Sequence, residues 1–118
     1  AYSPLAQGTL TGKYLNGQMP QGSRLALFGD TPLMMRYKGD KTQKAIEMYV
    51  EVAKKFEIDP TQLAIQFCNI QPFVTSNIIG ATTMEQLKIC IDSIHLDINK
   101  EIMNEIRKVH KEIPNPAP

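Results

Sequence analysis

Between Ile78 and Leu87 the sequence changes period within ten residues. The run Ile78-Ile79-Gly80-Ala81-Thr82-Thr83-Met84-Glu85-Gln86-Leu87 begins with β-branched residues, meets a glycine and two hydroxyls, and opens into a helical pattern. A strand, a tight turn and a helix N-terminus are expected there. The first turn of a helix leaves N–H groups without partners, and the helix dipole concentrates partial positive charge at that end. An anion, typically a phosphate, suits such a place.

The rest of the chain is read outward from that turn. Ala1-Tyr2-Ser3-Pro4-Leu5 reads as a strand end, because Pro4 has no N–H for ladder pairing. A strand that opens at the first residue suggests the continuation of a longer chain. From Thr42 a helix is expected, with Ile46, Tyr49, Val50, Ala53 and Phe56 on one stripe. Asp59 then caps a second helix with Pro60 at its first position, running to about Asn69. Its apolar residues Leu63, Ala64, Ile65, Phe67 and Cys68 predict deep burial. Val74 to Ile79 reads as a parallel strand with a polar start. The helix after Gly80 carries Met84, Leu87, Ile91 and Ile94 on one face. Asn99 caps a last helix whose stripe is Ile98, Ile102, Ile106, Val109 and Ile113. Its charged opposite face is a solvated surface, and the proline-rich end from Pro114 is not helical.

Strands alternating with helices predict a parallel α/β arrangement with right-handed crossover. Two strands make no convincing sheet alone. Another copy of the chain, or further strands of a longer parent, must complete it. The 118 residues are too few for a whole (β/α)₈ barrel, which takes roughly 250.

A net charge of +1 with no basic run argues against a nucleic-acid partner. No apolar stretch of about 20 residues predicts a membrane span, and Tyr2-Ser3-Pro4 is unlike a signal peptide. Cys68 and Cys90 sit in helical contexts, far in sequence from His95 and His110. They read as buried reduced thiols of a cytoplasmic protein, with a disulfide or metal site as the alternatives.

Residues 6–40 are punctuated by Gly8, Gly12, Gly17, Pro20, Gly22, Gly29, Pro32 and Gly39. Connections this long are usually functional or disordered. Lys13, Arg24, Arg36 and Lys38 bias the segment positive. It is either a solvated surface loop or a lid over an anionic ligand.

Four motifs carry a resemblance: Ser3-Pro4-Leu5-Ala6-Gln7-Gly8, Thr11-Gly12-Lys13-Tyr14, Ser23-Arg24, and Gly80-Ala81-Thr82-Thr83 with Gln86-Leu87. Together they resemble the aldo-keto reductases, (β/α)₈ barrels that use NADPH, and among them the Tas-like bacterial branch, down to the final Pro116-Ala117-Pro118. The resemblance covers the whole chain. It implies a single partial domain: the C-terminal part of a TIM barrel, with its last two strands, their helices and the extra C-terminal helix. It implies that Tyr2 stacks on the nicotinamide ring and that Ser3, Pro4, Leu5 and Gln7 wrap the pyrophosphate. Lys13 and Arg24 match the basic residues of a loop, 6–40, that folds over the cofactor. Gly80, Ala81, Thr82 and Gln86 match the turn that takes the adenosine 2′-phosphate and ribose. Without the family pattern, Tyr2 would read as a packed strand residue and Gln86 as an exposed helix residue.

The physics of these residue types agrees. Glycine lets backbone approach a phosphate, Thr82 sets a hydroxyl beside free N–H groups, and Lys13 and Arg24 offer charge-assisted contacts. Ile89 and Cys90 depart from the pattern, standing where family members place an acid and an asparagine against the adenine. Neither side chain can make those hydrogen bonds.

The family's catalytic Tyr, Lys, Asp and His come from earlier barrel strands. Tyr14, Tyr37 and Tyr49 do not stand in that context, so no catalytic residue is assigned. The resemblance therefore implies a portion of an NADP(H)-dependent reductase of aldehydes and ketones, inactive alone, with a complementary N-terminal chain or its own copies as partners. The other reading is a non-catalytic, self-associating helical module whose stripes at Ile46 to Phe56 and Ile98 to Ile113 lie uncovered.

Overall fold

Residues 1–118 are described by a computed structural model. Its helices are α1 (Arg24–Phe28), α2 (Pro32–Met35), α3 (Asp40–Lys55), α4 (Pro60–Asn69), α5 (Met84–Asp92) and α6 (Lys100–Glu112). Short 3-10 turns occupy Ala6–Thr11, Leu15–Gly17 and Ser93–His95. Segment 6–40 is thus built of turns and two short helices rather than being a featureless loop.

The long helices form where caps and stripes place them. Asp59 Oδ1 accepts from the Thr61 N–H at 2.7 Å and the Gln62 N–H at 3.4 Å, with Pro60 first in α4. Asn99 Oδ1 accepts from the N–H groups of Glu101 and Ile102 at 2.9 and 3.0 Å. Such caps contribute about 1 kcal/mol each by satisfying N–H groups that have no helical partner. Helix α3 ends differently. Glu57 takes a left-handed φ of 57°, and the Glu57 and Ile58 N–H groups bond back to Lys54 and Ala53. This closes the helix without the usual glycine.

The core lies where α3, α4 and α6 meet. Val52, Ala53, Leu63, Ile102, Ile106 and Val109 are buried together, flanked by Tyr49, Phe56 and Ile98. The stripes of α3 and α6 therefore cover one another within the chain. The uncovered apolar surface is elsewhere: Tyr2, Phe73, Ile78, Met84, Ile91 and Ile94 are exposed. Of the residues that periodicity groups on one face after Gly80, Met84, Ile91 and Ile94 are exposed and Leu87 is half-buried, and α5 buries Cys90. Helix α4 buries only Leu63 and Ile65 fully, and Phe67 is exposed, so the deep burial expected of it is corrected. The accessible surface is 7765 Å², whereas a monomer of 13.3 kDa exposes about 6,450 Å².

The two expected strands contract to a single parallel bridge between Tyr2 and Ile78. The Ile78 N–H donates to the Ala1 carbonyl at 2.9 Å, and the Ala1 ammonium to the Ser76 carbonyl at 2.6 Å. The ladder stops for local reasons. Ser3 turns left-handed with φ 56° and Pro4 has no N–H to give. On the other side the Val74 N–H closes a turn onto Gln71, and Asn77 Nδ2 donates to the Ile65 carbonyl and Asn69 Oδ1. At the far end of the chain, Arg36 donates to the Ala117 carbonyl and Thr42 to the Pro116 carbonyl. The proline-rich tail is thereby tied to the start of α3.

Candidate functional site

The Tyr2–Ile78 pair runs parallel, so the turns that follow each residue leave the pair from the same end. The first turn is the more unusual. Ser3, Ala6 and Gln7 have φ values of 56°, 47° and 60°, and Gly8 follows at 91°. Left-handed backbone at a non-glycine residue costs roughly 1–3 kcal/mol and persists only where surroundings enforce it. Here the enforcing bonds are local. The Ala6 N–H donates to the Ser3 carbonyl and the Gly8 N–H to the Leu5 carbonyl, both at 2.9 Å. Gln7 Nε2 donates to Ser3 Oγ at 3.1 Å, and the Thr9 and Thr11 hydroxyls donate to the Ala6 and Gly8 carbonyls at 2.8 Å.

The second turn leads into α5. Thr83 Oγ caps the helix by accepting from the Gln86 N–H at 3.2 Å. Gln86 Oε1 reaches back to accept from both the Thr82 N–H and the Thr82 hydroxyl at 3.0 Å. The Thr82 N–H, expected to be free for an anion, is taken up by Gln86. Gln86 itself is exposed, so it can swing aside. Ala81 is exposed too, and a Cβ placed on Gly80 would meet nothing within 4 Å. The chain's own packing does not demand a glycine at position 80.

Four cations were expected to bias residues 6–40. Two are engaged by the chain: Arg36 with Ala117, and Lys38 with Asp30 at 3.5 Å. Lys13 and Arg24 form no ion pair. Lys13 is half-buried, its ammonium 5.1 Å from the Tyr14 ring centroid, and Arg24 is exposed at the start of α1. Pro4 and Leu5 are half-buried, whereas Tyr2 is 80% exposed and is not a packed core residue. An open cleft of about 570 Å³ touches Pro4 alone among these residues and is otherwise lined by side chains such as Tyr49, Phe67 and His110. Two residues that sequence reasoning left without a role, Gly8 and Tyr14, sit among the site's neighbours. Their signal was only their membership of the Gly8 and Lys13-Tyr14 motifs.

The remaining titratable groups offer little chemistry. Burial pushes the Cys68 thiol up, and burial together with the Asp59 carboxylate pushes up that of Cys90. Both cysteines are free, and no cluster of three His, Cys, Asp or Glu side chains could hold a metal. Cys90 is 4% exposed and turned into the fold, and Ile89 is half-buried. No helix is long and apolar enough to cross a membrane.

The model of the Aldo/keto reductase family matches residues 1–111. The chain belongs to that family. It is 49% identical to Protein tas of Escherichia coli K12 over all 118 of its residues, which are 33% of that protein's length. It is 35% identical over 117 residues to an aldo-keto reductase of Babesia bovis, with 93% of this chain and 39% of that one covered. To the L-glyceraldehyde 3-phosphate reductase of Escherichia coli K12 it is 38% identical over 93 residues, 75% of this chain and 26% of the relative. The chain thus spans about a third of the length of the curated relatives it matches. Family members form (β/α)₈ barrels, and a mostly helical chain with one parallel bridge agrees with part of one.

Proposed function

We propose that this chain forms one wall of an NADP(H) site in an aldo-keto reductase barrel, supplying its last two strands, their helices and the extra C-terminal helix as one partial domain. The observation that carries the reading is the parallel Tyr2–Ile78 pair, which sends the Ser3–Gly8 and Gly80–Gln86 turns out of the same end. In such barrels phosphate sites form at the C-terminal ends of the last strands.

The residues fit a phosphate-bearing cofactor. Gly80 leaves open space that its own chain does not use. Lys13 and Arg24 are cations without carboxylate partners, suited to charge-assisted bonds with phosphate oxygens. Tyr2 presents an exposed ring for a flat heterocycle. Ser3, Pro4, Leu5 and Gln7 form the strained turn that wraps the pyrophosphate, while Ala81, Thr82 and Gln86 receive the 2′-phosphate once the Gln86 amide releases Thr82. When bound, NADPH supplies a hydride to the carbonyl carbon of an aldehyde or ketone. This chain holds and orients the cofactor; proton transfer to the carbonyl oxygen falls to groups outside it. Its partner is the complementary N-terminal portion of the barrel, in the cytoplasm.

Calorimetric titration of the 118-residue chain with NADPH tests the reading. Saturable heat is expected, weaker with NADH because the 2′-phosphate contacts are missing. No heat at millimolar NADPH overturns it. A second reading, self-association of copies through Tyr2, Phe73, Ile78 and the outer face of α5, is favoured by the exposure of those residues. Concentration-dependent sedimentation with no NADPH binding would select it.

A further inference from the structure

Tyr14 is 4% exposed, the most deeply buried aromatic residue of the chain. Its side chain lies beside its neighbour Lys13 and near Gly8, and bonds to a residue well along the chain. Its hydroxyl accepts a hydrogen bond from the Leu25 N–H at 3.3 Å, across eleven residues. Its ring lies under the Lys13 ammonium, 5.1 Å from centroid to nitrogen. A Cβ built on Gly8 would come within 3.6 Å of the hydroxyl and 3.2 Å of Lys13 Nζ. The Gly8 end of the strained turn, Lys13, and the helix that begins with Arg24 therefore meet at one phenol.

Helix α1 needs such a fastening. It has five residues and buries none of them fully, so neither propagation nor packing secures it. The N–H groups of its first turn have no helical acceptors. Ser23 Oγ takes the Ala26 N–H at 3.4 Å, and Tyr14 takes that of Leu25. Without these bonds α1 would wander, and Arg24 with it. A cation held in place loses less freedom when it grips a ligand, which raises affinity without adding a contact.

We propose that Tyr14 is a positioning residue for the cofactor's phosphates, acting through Arg24 and, by its ring, through Lys13. The inference rests on the NADP(H) reading above. Tyr14→Phe keeps the ring, the Lys13 contact and the packing, and removes only the acceptor. Three measurements test it on the full chain. The Leu25 amide should exchange with solvent at least tenfold faster in Tyr14→Phe. The dissociation constant for NADPH should rise about fivefold, the size of one lost hydrogen bond. In an Arg24→Gln background the same substitution should leave NADPH affinity within about twofold, because coupled residues are not additive.

A general structural role would not produce that last result, since damage to the fold would add to the loss of Arg24. Equal NADPH affinity of wild type and Tyr14→Phe overturns the inference while leaving the cofactor reading intact. So does a fivefold loss that persists undiminished in the Arg24→Gln background. A wild-type chain that binds no NADPH overturns the cofactor reading itself, and the inference with it.

Discussion

Replacing Ile106 with alanine tests which apolar face the fold uses. Ile106 is 6% exposed and belongs to the cluster that joins α3, α4 and α6. Alanine removes three carbons, a transfer loss of about 2.4 kcal/mol at ~0.8 kcal/mol per group. The hole left behind adds about 1 kcal/mol, because a packed site collapses only in part. The total of about 3.5 kcal/mol lies within the range of roughly 2–5 seen for such truncations. At about 4 °C per kcal/mol for a chain of this size, the melting temperature should fall by about 14 °C. Ile94→Ala is the companion. Ile94 carries the same side chain at 61% exposure, in the 3-10 turn Ser93–His95 that follows α5. Its loss should be under about 1 kcal/mol. Thermal unfolding followed by helix ellipticity at 222 nm, at low protein concentration, reads both. Equal losses for the two variants would refute the packing described above, because Ile94 would then be covered as fully as the α3–α6 seam.

Three shorter predictions follow from local geometry. Glu57→Gly should raise stability by about 0.5–1 kcal/mol in a denaturant titration: it relieves a left-handed side chain, and glycine's extra chain entropy takes back part of the gain. Gly8→Ala should destabilise by about 1–2 kcal/mol and weaken NADPH binding, since position 8 has φ 91° and the new methyl would crowd Lys13 Nζ. Hydrogen bonds and charge from Lys108 and Lys55 hold the Glu105 carboxyl below the usual glutamate range. A lowered folded-state pKa stabilises above the unfolded-state value and stops doing so as pH falls through the folded one. Glu105→Gln should therefore be less stable than wild type at neutral pH, with the gap closing only below about pH 4.3.

The caps were the most legible part of the chain. Asp59-Pro60 and Asn99 are local chemistry, readable from a few adjacent residues, and each stands where its type requires. The α3 and α6 stripes were legible as stripes, but not as partners, because periodicity says that a face is apolar and not what meets it. For the same reason the shared face of Met84, Ile91 and Ile94 was legible only as a face; these residues are exposed here. The strands were overread. β-branched residues at 78 and 79 favour extended backbone, yet a ladder needs neighbours, and Tyr2 is the only one that pairs. At the candidate site the motifs located both turns and both free cations. They could not reveal that Gln86 occupies the Thr82 N–H or that Tyr14 fastens α1, since these bonds depend on side-chain reach across folded backbone.

The left-handed run at Ser3, Ala6 and Gln7 sets two selective pressures against each other. Glycine at any of the three would ease the fold and favour heat tolerance. It would also let the turn sample many shapes, so a ligand would have to freeze it anew at each encounter. On the proposed NADP(H) reading, a lineage living hot and a lineage needing a tight hold on scarce cofactor should therefore diverge at these three positions before they diverge in the core.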